Sequence, residues 1–187
     1  MDLTAQSVSE FFHEALSSAI RNQGVDTSEM TEFYLVNLLC DYAKTPLDDT
    51  PLALKLTEAK TALPEERARQ LRTVGDQSLY VSGFFSDSLR RRLVDVDYYI
   101  HLGGSAYLQL AHMAPRGTTA HFGEVYRELA GKFPRYVDVL AEISSGSAIT
   151  SESGVVELYE RWLRTRSEWL ERKLRAQGVL PGKGDVQ

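Results

Sequence analysis

The stretch LVDVDYYIHLGGSAYLQLAHM, at positions 93–113, decides the fold class of this chain. Apolar residues fall on nearly every side of a helix drawn through it. A helix that is apolar nearly all round is usually buried in the middle of its domain. The stretch therefore predicts a buried central helix with other helices packed around it.

Helix start and stop signals recur on both sides of this stretch. Ser7 and Glu10 have the spacing of a capping box that opens a first helix, which we expect to stop at Gly24. Asp26 or Thr27 is expected to open the second helix. Further downstream, proline at a first helical position predicts another start at Pro64.

Three further expectations complete the predicted layout. The second helix is predicted to have a wide apolar face that includes Phe33 and Leu35, and the small residues at 144–147 are predicted to form a loop. A final helix is predicted at 151–177. The prediction is thus an all-α, single compact bundle of seven or eight helices around the central helix, with one domain over 1–178 and a disordered tail at 179–187.

Composition narrows the classes of protein to which this chain can belong. It has 187 residues, is 43% hydrophobic and 25% charged, and contains a single cysteine, which excludes a disulfide framework. A net charge of -5, with a basic excess in neither half of the chain, does not favour nucleic-acid binding. No apolar run approaches the length of a membrane span, so we expect no membrane partner and a cytoplasmic location.

Four polar residues form a stripe along the central helix. Asp97, His101, Ser105 and His112 follow one another at spacings of four, four and seven, which places them on one side. Asp97 is one turn before His101 and could accept its ring N–H, so the pair is a candidate catalytic centre. The alternative is that the stripe is the solvent-facing edge of the helix, or a set of structural polar groups.

Gly103 and Gly104 interrupt this helix at a cost of about 1 kcal/mol each relative to alanine. Close approach of a neighbouring helix or of a ligand could offset that cost. A small-molecule sensor, in which Tyr98, Tyr99 and Gly103 line an apolar pocket, is therefore a further option.

Two glutamate–histidine pairs are candidate metal ligands. Glu10 and His13 form a Glu-x-x-His, and His121 and Glu124 have the reverse order. Di-iron helical bundles use two Glu-x-x-His pairs with two further glutamates. Only one pair here has the matching order, so the pattern gives a weak indication of iron.

The layout of the chain also resembles the haem-oxygenase-like helical fold. The resemblance lies in the size of the chain, in His13 on an early helix and in the glycine pair within a later helix. It implies His13 as a proximal haem ligand, with Gly103 and Gly104 near the bound ring.

The predicted final helix is amphipathic and carries four glutamate-to-arginine pairs at four-residue spacing. Arg166 interrupts its apolar face between Trp162 and Trp169. Tryptophan and arginine are favoured interface residues, so these three residues are the predicted contact surface for a protein partner or a second copy. The alternative is that both tryptophans cover the core of their own domain.

Four segments resemble a family of uncharacterised bacterial helical proteins. They are VGDQSLYVSGFF (74–85), LVDVDYYIHLGGSAY (93–107), KFPRYVDVLAEIS (132–144) and LYERWL (158–163). The resemblance implies a bacterial cytosolic origin and carries no activity or site residue with it.

The sequence favours a non-enzymatic binding or regulatory protein that acts through protein–protein contacts and forms homo-oligomers or captures another protein. No complete catalytic constellation accompanies the polar stripe. The alternative is a metal- or haem-dependent enzyme of the haem-oxygenase-like or di-iron class, with His101 and Asp97 at its centre.

Overall fold

The computed structural model describes residues 5–44, 47, 50–85, 95–114, 120–148 and 175. These residues form seven helices, and no strand occurs among them. In chain order the helices are α1 (Ala5–Gln23), α2 (Glu29–Lys44), α3 (Leu52–Thr61), α4 (Pro64–Phe84), α5 (Val96–Met113), α6 (Ala120–Gly131) and α7 (Phe133–Ala148). The predicted all-α bundle is confirmed.

One predicted helix start, at Pro64, and one predicted helix end, at Gly24, are also confirmed. Pro64 is the first residue of α4, where its missing N–H costs nothing. Helix α1 ends at Gln23, and Gly24 follows with a φ of 60°, a left-handed conformation that glycine adopts without a steric penalty. The N–H of Val25 then donates to the carbonyl of Ile20 at 3.1 Å, which closes the end of α1.

The predicted starts of the first two helices are wrong. Helix α1 begins at Ala5, so Ser7 lies within the helix and is not its cap. Helix α2 begins at Glu29, and its cap is Ser28, whose Oγ accepts the N–H of Thr31 at 3.3 Å. Asp26 and Thr27 belong to the connection between α1 and α2. The side chain that caps the N–H of Thr31, the third residue of α2, is that of Ser28.

The predicted loop at 144–147 is helical. Helix α7 continues through it to Ala148. The hydroxyl of Ser144 donates to the carbonyl of Phe84 at 3.1 Å, which satisfies a group at the end of α4, and Ile143 packs against the core. Small residues therefore permit close contact between α7 and α4 here and do not end the helix.

Helix α4 is the hub of the described bundle, since it packs against α2, α3, α5 and α7. Two of its glycines make close contacts possible. A Cβ atom on Gly75 would lie 2.5 Å from the Tyr107 ring, and one on Gly83 would lie 2.5 Å from Cβ of Leu140. Glycine at these positions thus sets the distance from α4 to α5 and to α7.

Helix α5 is buried along one side, against α4, α6 and α7. Its buried residues are Gly103, Ala106, Tyr107, Leu110 and Ala111. On the other side Tyr98 and Leu108 are 40% and 46% exposed, so the helix is not enclosed all round as its composition suggested. Within the described ranges, no helix is both long and apolar enough to cross a membrane.

Candidate functional site

The polar stripe of α5 lies on its exposed side. The side chains of Asp97, His101, Ser105 and His112 are all exposed. This is the solvent-facing edge that the sequence left open as an alternative. Exposure of these side chains gives no support to a catalytic centre, and the catalytic assignment of Asp97 and His101 stays a prediction.

The glycine pair of α5 is explained in part by its neighbours. A Cβ atom on Gly103 would lie 2.4 Å from Cζ of Phe133 and 2.7 Å from Cβ of Ser78, so α7 and α4 fill the space beside it. Gly104 has its nearest such neighbour at 3.9 Å. His13 lines a separate groove between α1 and α2, so the described structure does not bring it together with the glycine pair.

The candidate metal ligands are divided between two helices. Glu10 and His13 lie on α1, and Glu124 is exposed on α6, while the side chain of His121 lies outside the described part of the structure. Among the described residues, no three His, Cys, Asp or Glu side chains are grouped so that they could hold a metal ion. The metal assignment thus gains no support from geometry and stays a prediction.

The predicted interface on the final helix falls outside the described residues. Of that helix only Arg175 is described, and it is helical and exposed. The contact surface predicted at Trp162, Arg166 and Trp169 therefore stays a prediction, as do the domain bounds and the tail at 179–187.

A groove of about 300 Å³ lies between α1 and α2. Its lining residues are Ser9, Glu10, His13 and Glu14 of α1 and Phe33, Val36 and Asn37 of α2. The two helices run antiparallel, because the short turn after Gln23 joins them and Ser17 hydrogen-bonds Glu32 further along. The groove follows this antiparallel seam, and its described lining residues come from α1 and α2.

Phe33 is the largest apolar residue of the groove, and it is 66% exposed. The sequence grouped Phe33 with Leu35 on one wide apolar face, and the structure separates them, since Leu35 is buried and Phe33 is exposed. Its neighbours Tyr34 and Leu35 are buried, so the core-facing side of α2 is turned away from Phe33. The apolar face of α2 therefore extends beyond the residues that are buried in the core, and Phe33, which is exposed, lies at the groove.

The sequence did not predict a second polar feature, the largely buried carboxylate of Asp76, which lies between three helices. Oδ1 of Asp76 on α4 accepts hydrogen bonds from the hydroxyls of Tyr34 on α2 and of Tyr107 on α5, the latter at 2.7 Å. Nε of Arg72 lies 3.4 Å from Oδ2 of the same carboxylate, and its guanidinium lies 5.4 Å from the centre of the Tyr34 ring. Tyr126 of α6 stacks on Tyr107 and meets Tyr34 edge-on.

Burial dominates the electrostatics of this tyrosine–aspartate junction. The side chain of Asp76 is 14% exposed, and its burial raises the pKa of the carboxyl, against the opposing effect of the two tyrosine hydroxyls and of Arg72. Burial and the nearby carboxylate raise the pKa values of Tyr34 and Tyr107, which keeps both hydroxyls protonated as donors. Both carboxylate oxygens have partners inside the protein, so we assign the junction a structural role in joining α2, α4 and α5.

Glu128 of α6 forms a second polar junction, at the start of α2. Its carboxylate accepts the hydroxyl of Ser28 at 2.6 Å, the hydroxyl of Thr31 at 2.7 Å and the ammonium of Lys132 at 2.9 Å. These donors lower its pKa from 4.5 to about 2, in spite of the opposing effect of burial. The junction fastens the α1–α2 turn and the first turn of α2 to α6.

The sequence did contain a signal for the first of these junctions. Arg72 and Asp76 have the four-residue spacing of an ion pair on α4. The partners Tyr34 and Tyr107 come from distant parts of the chain, and their hydroxyls meet only when the bundle has formed.

The chain matches no family model, no curated protein and no solved structure. The resemblance to uncharacterised bacterial helical proteins therefore stays a prediction. The geometry of the described helices is the remaining basis for assigning a function.

Proposed function

We propose that this protein is a cytoplasmic binding protein that holds a helical segment of another protein in the groove between α1 and α2. The observation that carries the proposal is the exposed ring of Phe33 beside the groove. Contact with a partner would bury this ring, and full burial of a phenylalanine side chain contributes about 1.5–3 kcal/mol.

Phe33 belongs to an exposed apolar row. Met30 lies one turn before it on the same side of α2 and is 47% exposed, and Val36 forms the buried floor of the groove. Single exposed apolar residues are ordinary on protein surfaces, whereas a row beside a groove is typical of a contact site. This favours binding of an apolar surface over binding of a polar ligand.

The shape of the groove favours a helix as the bound element. Both walls offer side chains at spacings of three and four residues: Glu10, His13 and Glu14 on α1, and Phe33 and Asn37 on α2. A third helix can set its own ridge of side chains into a seam between two helices. Recognition of an amphipathic helix in such a groove relies on anchors at the same spacing.

A photo-crosslinking residue at Asn37 tests this proposal in the cells that make the protein. Asn37 is exposed and lines the groove, so a bound segment will lie within reach. We expect one discrete adduct with a different protein, and we expect Phe33→Asp to remove it. Lys60, exposed on α3, is the control position and is expected to give no such adduct.

Two results would contradict the proposal. One is an adduct at Asn37 that persists unchanged when Phe33 is replaced by aspartate. The other is an adduct with the mass of two copies of this chain, which would place a second copy in the groove.

A further inference from the structure

The negative charge of the chain is concentrated on the α1–α2 hairpin. Residues 5–44 contain six acidic and two basic residues, and the rest of the chain contains the other 20 acidic and 19 basic residues. The hairpin therefore carries -4 of the total net charge of -5. Positions 45–93, which follow the hairpin, contain eight basic and seven acidic residues, so they add no net negative charge of their own.

The carboxylates at and beside the groove face solvent. Glu10 and Glu14 are exposed, lie one turn apart and line the α1 wall. Glu29 is exposed on α2, one turn before Phe33. Glu10 and Glu14 thus line the same groove as Phe33, and Glu29 lies outside the lining, on the α2 turn before Phe33.

The two basic residues of the hairpin lie away from the groove. Arg21 is in the last turn of α1 and Lys44 is in the last turn of α2, and neither is among the lining residues. Glu32 differs from the carboxylates at the groove because its side chain is hydrogen-bonded to Ser17. The α1 wall therefore presents two carboxylates to a bound segment, and Glu29 adds a third on α2, one turn before Phe33.

We propose that the segment bound in the groove is a basic amphipathic helix of a partner protein. This inference rests on the proposed function and specifies the chemistry of its partner. Apolar residues of the partner pack on Phe33 and Val36, while lysine or arginine side chains reach Glu10, Glu14 and Glu29. The long stems of such side chains also cover apolar surface, and an arginine can lie over the ring of Phe33.

The charges at the groove are expected to act mainly on selectivity. Exposed ion pairs are individually weak, and complementary charge changes association rate and partner choice more than it changes total affinity. We therefore expect a preference of about tenfold for a cationic segment over a neutral one at low salt. Salt screens exposed charges, so the preference must shrink as ionic strength rises.

Three labelled probe peptides test this inference on the full chain. They share one helical leucine pattern and carry lysine, glutamine or glutamate at every remaining position. Fluorescence anisotropy measures the Kd of each. The lysine peptide is expected to bind about tenfold more tightly than the glutamine peptide, and the glutamate peptide is expected to bind most weakly.

A double variant, Glu10→Gln with Glu14→Gln, connects the preference to the groove. It is expected to reduce the ratio between the Kd of the glutamine peptide and the Kd of the lysine peptide. The matched control is Glu58→Gln with Glu65→Gln, which removes two exposed carboxylates from α3 and α4. This control is expected to retain the preference.

The outcomes separate the two proposals. If binding of the glutamine peptide depends on Phe33 and the lysine peptide binds no more tightly, the proposal of a basic partner is overturned. The proposal that the groove binds a helical segment is then retained. The proposal of a basic partner is also overturned if the Glu10→Gln, Glu14→Gln double variant binds the lysine peptide with the same preference as the wild type. If no peptide binds in a way that depends on Phe33, the proposed function itself is overturned.

Discussion

The hydroxyl of Tyr107 donates to Oδ1 of Asp76 across 2.7 Å, and the same oxygen accepts the hydroxyl of Tyr34. One atom of α4 thus holds α5 and α2 together. Because α2 is one wall of the proposed binding groove, this contact joins the core of the bundle to its candidate functional surface.

Tyr107→Phe is expected to destabilise the fold. The change removes one donor from a buried carboxylate and keeps the ring in place, and hydrogen bonds to charged groups contribute about 1.5–3 kcal/mol. The free energy of unfolding in urea measures the loss. Tyr98→Phe, on the exposed side of α5, is the matched control, and an equal effect in both variants would contradict the assigned role of Asp76.

Glu128→Gln is expected to change how the free energy of unfolding depends on pH. Folding lowers the pKa of Glu128 from 4.5 to about 2, so its carboxylate contributes stability above pH 4.5 and loses that contribution as pH falls towards 2. At neutral pH the variant is expected to be less stable by about 1.5–3 kcal/mol.

Across the acid range the variant is expected to lose less stability than the wild type, because it no longer has this carboxylate to protonate. Urea unfolding of both proteins between pH 7 and about pH 2.5 checks the sign. Parallel curves for the two proteins would show that Glu128 does not hold the start of α2.

Gly103→Ala is expected to destabilise the protein by about 1–3 kcal/mol. Its Cβ would lie 2.4 Å from Cζ of Phe133, so α5 must move away from α7. Gly104→Ala is the adjacent control, with its nearest neighbour at 3.9 Å, and is expected to gain up to about 1 kcal/mol from helix propensity. Thermal unfolding distinguishes these opposite signs, and a loss in both variants would contradict the packing described for Gly103.

Phe33→Asp is expected to change the free energy of unfolding by no more than about 0.5 kcal/mol, because Phe33 is exposed. Leu35→Ala, two residues later and fully buried, is expected to cost about 2–5 kcal/mol. Urea unfolding compares the two. A large loss for Phe33→Asp would show that its ring belongs to the core.

Local signals in the sequence were sufficient for the fold class and for several helix ends. Pro64 and Gly24 act on their own backbone, so their effects can be predicted from a few neighbouring residues. Ser7 and the small residues at 144–147 misled the prediction because compatible neighbours let a helix continue through them.

The candidate site was much less predictable, since it depends on which side of each helix meets the core. The apolar face of α2 included both Phe33 and Leu35, and only the packing of α2 within the bundle decides that Leu35 is buried and Phe33 is not. Asp76 was missed for the same reason, because its two tyrosine donors lie 42 and 31 residues away along the chain.

The most direct test of the groove as a binding site is chemical-shift mapping of the neutral leucine–glutamine peptide on the isotope-labelled protein. The account predicts that the largest amide shift changes cluster at residues 9–14 and 33–37, and that Phe33→Asp removes them. Changes that cluster on another face, or that persist in the variant, would contradict it.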